Sequence, residues 1–157
     1  LFLHIPSGNL VIPTRIFVGF EDTGTAQVLD VLAVASSVED ASVTGTALTI
    51  YNKKINGDVS PTSNCTATTV ITSTGSDPET SHFYEFWRPY AGFGEDAFNG
   101  STGWVNAGVH GAEWDVRRAV SPPIIYGPGS ISVYAAAQAG TGFITLEWIE
   151  LESEKYA

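Results

Sequence analysis

The feature that most constrains the fold of this chain is the two-residue spacing of its apolar side chains. Over residues 9–20 (NLVIPTRIFVGF) the side chains that share one face of an extended segment are Thr14, Ile16, Val18 and Phe20. This spacing, with many β-branched residues, is typical of β-strands and not of helices. Pro13 has no backbone N–H, so we expect it at a strand start, a sheet edge or a bulge.

The same strand signals recur along the chain, separated by Gly, Pro, Asn and Ser. The further segments are 27–35, 47–55, 65–74, 82–88, 104–109, 113–120, 124–126, 130–138 and 143–151. Segment 27–35 is apolar enough for a short helix, but its Val content and the serines after it favour a buried strand. The last two segments flank Ala-Gly-Thr-Gly at 139–142, which predicts a hairpin.

About eight short strands with almost no helical period predict an all-β fold, an antiparallel β-sandwich or barrel. Unequal connections favour a jelly roll over an up-and-down barrel. An immunoglobulin sandwich is disfavoured, because the only cysteine, Cys65, cannot supply its Cys–Trp–Cys signature. We therefore expect residues 1–157 to form one jelly-roll domain.

Composition excludes several classes of function. The formal net charge is −10 with only seven Lys and Arg residues, which argues against a nucleic acid partner. No apolar run approaches the roughly 20 residues that span a bilayer, so we expect no integral membrane protein. A single cysteine excludes an intrachain disulfide and a Cys-rich zinc site. Without a basic neighbour, Cys65 is expected to be a small strand residue and not a reactive thiol.

Catalytic motifs are missing from the sequence, which predicts that the protein is not an enzyme and carries no cofactor. It has no G-x-S-x-G, H-E-x-x-H, P-loop or complete G-x-G-x-x-G motif. The best metal candidate is His110, Glu113 and Asp115. We favour ion pairs of the two acids with Arg117 and Arg118 instead, because a metal site needs three or more converging ligands.

The C-terminal segment carries four acids: Glu147, Glu150, Glu152 and Glu154. They could hold Ca²⁺ or meet a basic partner. We favour a solvated strand edge, which acids protect from pairing with other chains.

Aromatic residues are concentrated in one part of the chain, where nine of the 18 lie between Phe83 and Trp114. Residues 89–103 are rich in glycine and predict a long loop, in which rings are hard to bury within one chain. Such rings either anchor a protein interface or stack on sugars, while a core role is the structural alternative. The candidate binding residues are Trp87, Tyr90, Phe93, Phe98 and Trp104.

The two ends of the chain, SGNLVIPTRIFVGF (7–20) and SPPIIYGPGSISVYAAAQAGTGFITLEWIEL (121–151), resemble small jelly-roll virion proteins of tailed bacteriophages. Those are capsid cement or decoration proteins, and the similarity covers about 45 of the 157 residues. The resemblance implies a homotrimer on the outer surface of a shell of major capsid protein, without catalysis. The alternative is a carbohydrate-binding or receptor-binding β-sandwich module, secreted or on a cell surface.

Overall fold

A computed structural model describes residues 1–22, 31–37, 43–53, 63–73, 83–89, 111–135 and 141–155. In these ranges lie ten β-strands and two short 3-10 turns, with no α-helix. The strands are β1 (Phe2–Ile5), β2 (Asn9–Asp22), β3 (Val31–Ser36), β4 (Val43–Leu48), β5 (Thr66–Ser73), β6 (Phe83–Trp87), β7 (Gly111–Asp115), β8 (Ile125–Tyr126), β9 (Gly129–Ala135) and β10 (Thr141–Glu152). Nor do these ranges contain a helix that could cross a membrane.

The strands form two antiparallel sheets, which confirms the predicted all-β sandwich. The larger sheet has the order β4-β5-β1-β9-β3-β6, and the smaller has the order β10-β2-β7. Strand β8 also pairs with β2, next to β7, so β2 is the central strand of a four-stranded sheet. Apolar side chains of both sheets meet in one core, among them Leu3 and Ile131 from the larger sheet and Ile16 and Trp114 from the smaller.

The jelly-roll topology stays a prediction. A jelly roll has eight strands in two Greek keys, whereas the described strands divide into six and four. In particular, β4 and β5 extend the larger sheet beyond β1. This strand order establishes a two-sheet antiparallel sandwich and nothing finer.

The predicted hairpin between the last two strands is wrong. Both strands exist, but β9 lies between β1 and β3 in the larger sheet, while β10 pairs with β2 in the smaller one. The chain therefore changes sheets between them. The physical reason is that β10 pairs with β2 over its whole length, from Thr141 to Glu152. This pairing packs the side chains of Ile144, Leu146 and Trp148 against the core.

Strand β2 contains a bulge next to Pro13, which is one of the three positions expected for this proline. Pro13 pairs with Trp148 and Arg15 pairs with Glu147, so Thr14 has no partner on β10. An extra residue in one strand reverses which side chains face inward. Val11 and Pro13 are buried before the bulge, and Ile16 is buried after it.

Three other strand predictions need corrected bounds. Of segment 27–35, only the part from Val31 onward is described, and it is a fully buried strand. Strand β4 ends at Leu48, so 49–53 is not a strand, while 54–55 lies outside the described ranges. Strand β7 ends at Asp115, whose side chain accepts a hydrogen bond from Arg117 N at 2.8 Å and caps a 3-10 turn. The predicted strand 104–109 also lies outside the described ranges.

Candidate functional site

Of the five predicted binding residues, the described ranges include Trp87. Tyr90, Phe93, Phe98 and Trp104 lie outside them, so their role stays a prediction. The segment that carries them leaves the larger sheet at β6 and enters the smaller sheet at β7. Both are edge strands in the described part of the chain, and Phe86 of β6 contacts Trp114 of β7 edge to face, with ring centroids 5.3 Å apart.

Trp87 has a structural role whatever else it does. Trp87 pairs with Ala33 and Glu85 pairs with Val34, so Phe86 is an extra residue in β6. This bulge breaks the simple alternation, and both Phe86 and Trp87 pack against the core as partly buried side chains. Trp87 is partly exposed, but replacing it with a smaller residue would also disturb the packing of the core.

A second surface, which the sequence did not point to, is the outer face of the four-stranded sheet. Directly paired residues lie on the same face of a sheet, so the register defines this face row by row. From one end to the other, the rows are Tyr126–Leu10–Leu151, Ile12–Ile149, Asp115–Arg15–Glu147, Glu113–Phe17–Thr145 and Gly111–Gly19–Phe143. It therefore has an aliphatic end, a charged band and an aromatic end.

Three apolar residues of this outer face are exposed, although polar residues normally take the solvent side of a sandwich, while Leu10 of the same face is only 3% exposed. Ile149 is 49% exposed, Tyr126 51% and Phe143 54%. By contrast, all six residues of β3, which lies between β9 and the edge strand β6 of the larger sheet, are buried, on both faces. The smaller sheet thus offers a partly apolar surface to a partner.

The charged band is held together by ion pairs. Arg15 Nε donates to Glu113 Oε1 at 2.5 Å, and Arg15 Nη1 lies 3.8 Å from a Glu147 carboxylate oxygen. Lys53 Nζ also pairs with Glu147, and Arg117 pairs with Asp115 through two nitrogens. Hydrogen bonds from Arg117 hold the pKa of Asp115 well below its ordinary value.

At the aromatic end, two phenylalanine rings lie over glycines. A Cβ placed on Gly19 would lie 2.5 Å from Phe143 Cζ, and one on Gly111 would lie 3.0 Å from Phe17 Cζ. The two rings contact each other at a centroid distance of 5.7 Å, and the Arg15 guanidinium lies 5.9 Å from the Phe17 centroid. Glycine allows each ring to lie across the neighbouring strand instead of standing out from the sheet.

The two acids of the candidate metal site at 110–115 form ion pairs with arginines. Asp115 pairs with Arg117, as predicted, whereas Glu113 pairs across the sheet with Arg15. His110 lies outside the described ranges. Within those ranges, no three His, Cys, Asp or Glu side chains come together as metal ligands would.

Three of the four C-terminal acids, Glu147, Glu150 and Glu152, lie on β10, which is an edge strand of the smaller sheet in the described part of the chain, and Glu154 lies in the 3-10 turn that follows. Lys155 pairs with Glu152 at 2.5 Å, but it is not the only partner of these acids in the described part of the chain. Glu147 joins the charged band, and Glu150 accepts hydrogen bonds from Ser63 Oγ at 2.5 Å and Asn64 N at 2.8 Å. The acid at 150 therefore ties the strand to the segment before β5.

Cys65 is buried, as predicted for a structural cysteine. Burial and, after it, the nearby carboxylate of Glu150 raise the pKa of its thiol to about 12. A thiol that stays protonated at neutral pH is a poor nucleophile.

Comparisons of the chain with protein-family models, with curated proteins and with solved structures gave no match.

Proposed function

We propose that the protein is a non-enzymatic structural protein of a virion, a cement or decoration protein that binds the outer surface of a bacteriophage capsid shell. The resemblance of residues 7–20 and 121–151 to such proteins is the starting point. The structural observation that carries the proposal is the outer face of the four-stranded sheet, on which Ile149, Tyr126 and Phe143 are exposed. Exposed apolar residues grouped on one surface are typical of protein-binding sites.

In this proposal the protein forms a homotrimer and its partner is the major capsid protein. The aromatic segment supports that assignment, because Trp87, Tyr90, Phe93, Phe98 and Trp104 would supply the kind of ring that anchors protein interfaces. The position of the segment suits an interface, because it connects β6 and β7, which are edge strands of the two sheets in the described part of the chain. The proposed location is the capsid surface.

The experiment is co-sedimentation with shells assembled from the major capsid protein encoded in the same genome. Binding that saturates at a fixed ratio of this chain to capsid protein supports the proposal. A chain that stays in the supernatant at all concentrations would refute it. Bovine serum albumin and an unrelated phage shell control for trapping and for non-specific adhesion.

The second candidate function is a carbohydrate-binding or receptor-binding module, secreted or at a cell surface. The observation that favours it is Phe143, which is 54% exposed, has its ring over Gly19 and contacts Phe17, the ring that the Arg15 guanidinium lies over. An exposed ring next to polar groups can stack on a sugar. Binding to one sugar class on a glycan array, lost in Phe143→Ala, would favour this function over the first.

A further inference from the structure

We propose that two copies of this chain associate along β4, by antiparallel pairing of this strand with β4 of the second copy. The inference goes beyond the proposed function, because it concerns one edge of the larger sheet and leaves the outer face of the four-stranded sheet to the shell. It is carried by the exposure of β4, by the charges on the edge strands and by the order of charges along the chain.

Strand β4 lies at one end of the larger sheet, where it pairs with β5 in the described part of the chain. All four residues from 45 to 48 are exposed. Because successive side chains of a strand point to opposite faces, neither face of β4 is covered over these residues. An edge strand also presents backbone N–H and C=O groups to which a further strand can be added. A strand of another molecule can therefore reach this edge.

The edge at β4 is also free of charge. Natural edge strands commonly carry charged residues that keep other chains from pairing with them. Among the described edge strands, β6 carries Glu85, β7 carries Glu113 and Asp115, and β10 carries three glutamates, while β8 has only two residues. Strand β4 reads VTGTAL, and no charged residue or proline occurs from 41 to 52. The bulge between β4 and β5 has its extra residue in β5, so β4 itself stays regular.

The order of charges along the chain favours a second copy as the partner. Two acids, Glu39 and Asp40, precede the uncharged stretch 41–52, and two lysines, Lys53 and Lys54, follow it. Antiparallel pairing of two copies brings the start of one stretch to the end of the other. The acids of each copy then share one end of the interface with the lysines of the other copy. The stretch is therefore complementary to itself in charge as well as in its backbone.

Symmetry narrows the register of this pair. A two-fold axis that relates two antiparallel edge strands stands perpendicular to the sheet, and the resulting interface is isologous. Directly paired residues share a face, so the axis passes through one residue position. Thr46 is the position equidistant from Glu39 and Lys53 in sequence. Lys53 pairs with Glu147 of its own chain, but its side chain is 73% exposed and remains accessible to an acid of the second copy.

The test is the mass of the intact chain in solution, measured by light scattering over a dilution series. We expect twice the chain mass of 16.7 kDa, or six copies where the proposed trimer also forms. Thr46→Lys places two like charges across the two-fold axis and should lower the mass by a factor of two. Tyr84→Lys makes the same change of charge at an exposed residue of β6, at the other end of the same sheet. It is the matched control and should leave the mass unchanged.

A charge swap tests whether the partner is another copy of this chain. Asp40→Lys should raise the dissociation constant of the pair severalfold, although it lowers the net negative charge of each copy. Combining Asp40→Lys with Lys54→Asp returns equal numbers of acids and lysines to each end of the interface and should restore the original dissociation constant. A swap that does not restore it would overturn the assignment of the second copy.

Far-UV circular dichroism of each variant checks that the fold is intact, and Ala47→Lys replaces Thr46→Lys if that variant does not fold. A mass of one or three copies at every concentration would overturn the pairing. So would an even number of copies that Thr46→Lys leaves unchanged or that Tyr84→Lys also halves. The shell experiment is read separately. A chain that pairs but does not bind shells refutes the decoration function alone, and an unpaired chain that binds shells refutes only the pairing.

Discussion

At the scale of single residues, short polar contacts determine where strands end and which groups stay charged. Asp115 is 8% exposed, yet it remains ionised because Arg117 donates to it from both its side chain and its backbone. The same contact caps the 3-10 turn that ends β7. Cys65 shows the opposite case, since burial keeps its thiol neutral.

The first prediction concerns the pH dependence of the contact between Asp115 and Arg117. Hydrogen bonds from Arg117 lower the pKa of Asp115 below its ordinary value of 3.8. A group whose pKa is lower in the folded state stabilises the fold above its unfolded pKa, and that contribution is lost as pH falls below about 4. Arg117→Gln should raise the pKa of Asp115 and reduce the loss in free energy of unfolding as the pH falls below about 4.

The measurement is an NMR titration of the Asp115 side-chain carboxyl carbon, together with thermal unfolding between pH 2 and pH 7. Arg118→Gln is the matched control, because Arg118 is an equally exposed neighbour that makes only a minor contribution to the pKa of Asp115. An Asp115 midpoint that Arg117→Gln leaves unchanged would contradict the assignment.

The second prediction compares two glycines. A Cβ on Gly127 would lie 1.9 Å from the backbone oxygen of Pro6, and backbone cannot move aside as a side chain does. We expect Gly127→Ala to lower the free energy of unfolding by about 3 kcal/mol. Gly19→Ala meets only the exposed ring of Phe143 and should cost less than about 1 kcal/mol. Urea denaturation of both variants tests this ranking, and equal losses would argue against the close approach at Gly127.

At the scale of elements, two bulges decide which residues the strands present. The bulge at Thr14 reverses the faces of β2, so that Leu10 and Ile12 lie outward in one half and Arg15 and Phe17 in the other. The bulge at Phe86 lets two consecutive aromatic residues of β6 reach the core. Each extra residue therefore changes the composition of a surface as well as the twist of a strand.

The third prediction tests the bulge in β2. Deleting Thr14 would remove the extra residue and leave Val11, Pro13, Ile16 and Val18 all on the inward face of a regularly alternating strand, opposite their present partners on β10. The deletion should therefore lower the free energy of unfolding by less than about 1 kcal/mol. Urea denaturation measures the change, and Thr14→Ser, which keeps the residue count, is the control. A loss of about 3 kcal/mol or more, the value of one or two buried side chains, would show that the inward residues do not keep their places without the bulge.

At the scale of the whole molecule, the sandwich has two dissimilar sheets. The larger sheet buries its strand β3 on both faces, while the smaller sheet leaves an outer face with exposed apolar residues and a charged band. On a chain with net charge −10, such a face is the place where close association with another protein costs least.

The fourth prediction concerns the aromatic segment and the proposed trimer. Trp104→Ala and Phe93→Ala should leave the protein folded but abolish three-fold assembly or shell binding, since a buried anchor typically contributes 2 kcal/mol or more. Light scattering at physiological salt and shell co-sedimentation measure the loss. Trp87→Ala should also lower thermal stability, because Trp87 packs against the core. If Trp104→Ala and Phe93→Ala unfold the chain instead, these rings belong to the core.

The sequence by itself determined the local conformation, because alternation is a property of neighbouring residues. It identified the strands around Ile16, Val34, Val133 and Leu146, and the missing N–H of Pro13 gave a bulge as one of three alternatives, of which the structure shows the bulge. It also showed that Cys65 is structural and that Asp115 pairs with Arg117. In each case the deciding interaction is short in sequence or follows from the chemistry of one residue.

Only the tertiary structure decided which strands pair. Every strand offers the same backbone donors and acceptors, so the partner depends on length and register over distant segments. That is why β9 and β10 look like a hairpin and yet lie in different sheets. For the same reason the sequence did not predict the outer face of the four-stranded sheet. The contacts of Phe17 with Phe143 and of Arg15 with Glu113 form only because β2 lies between β7 and β10.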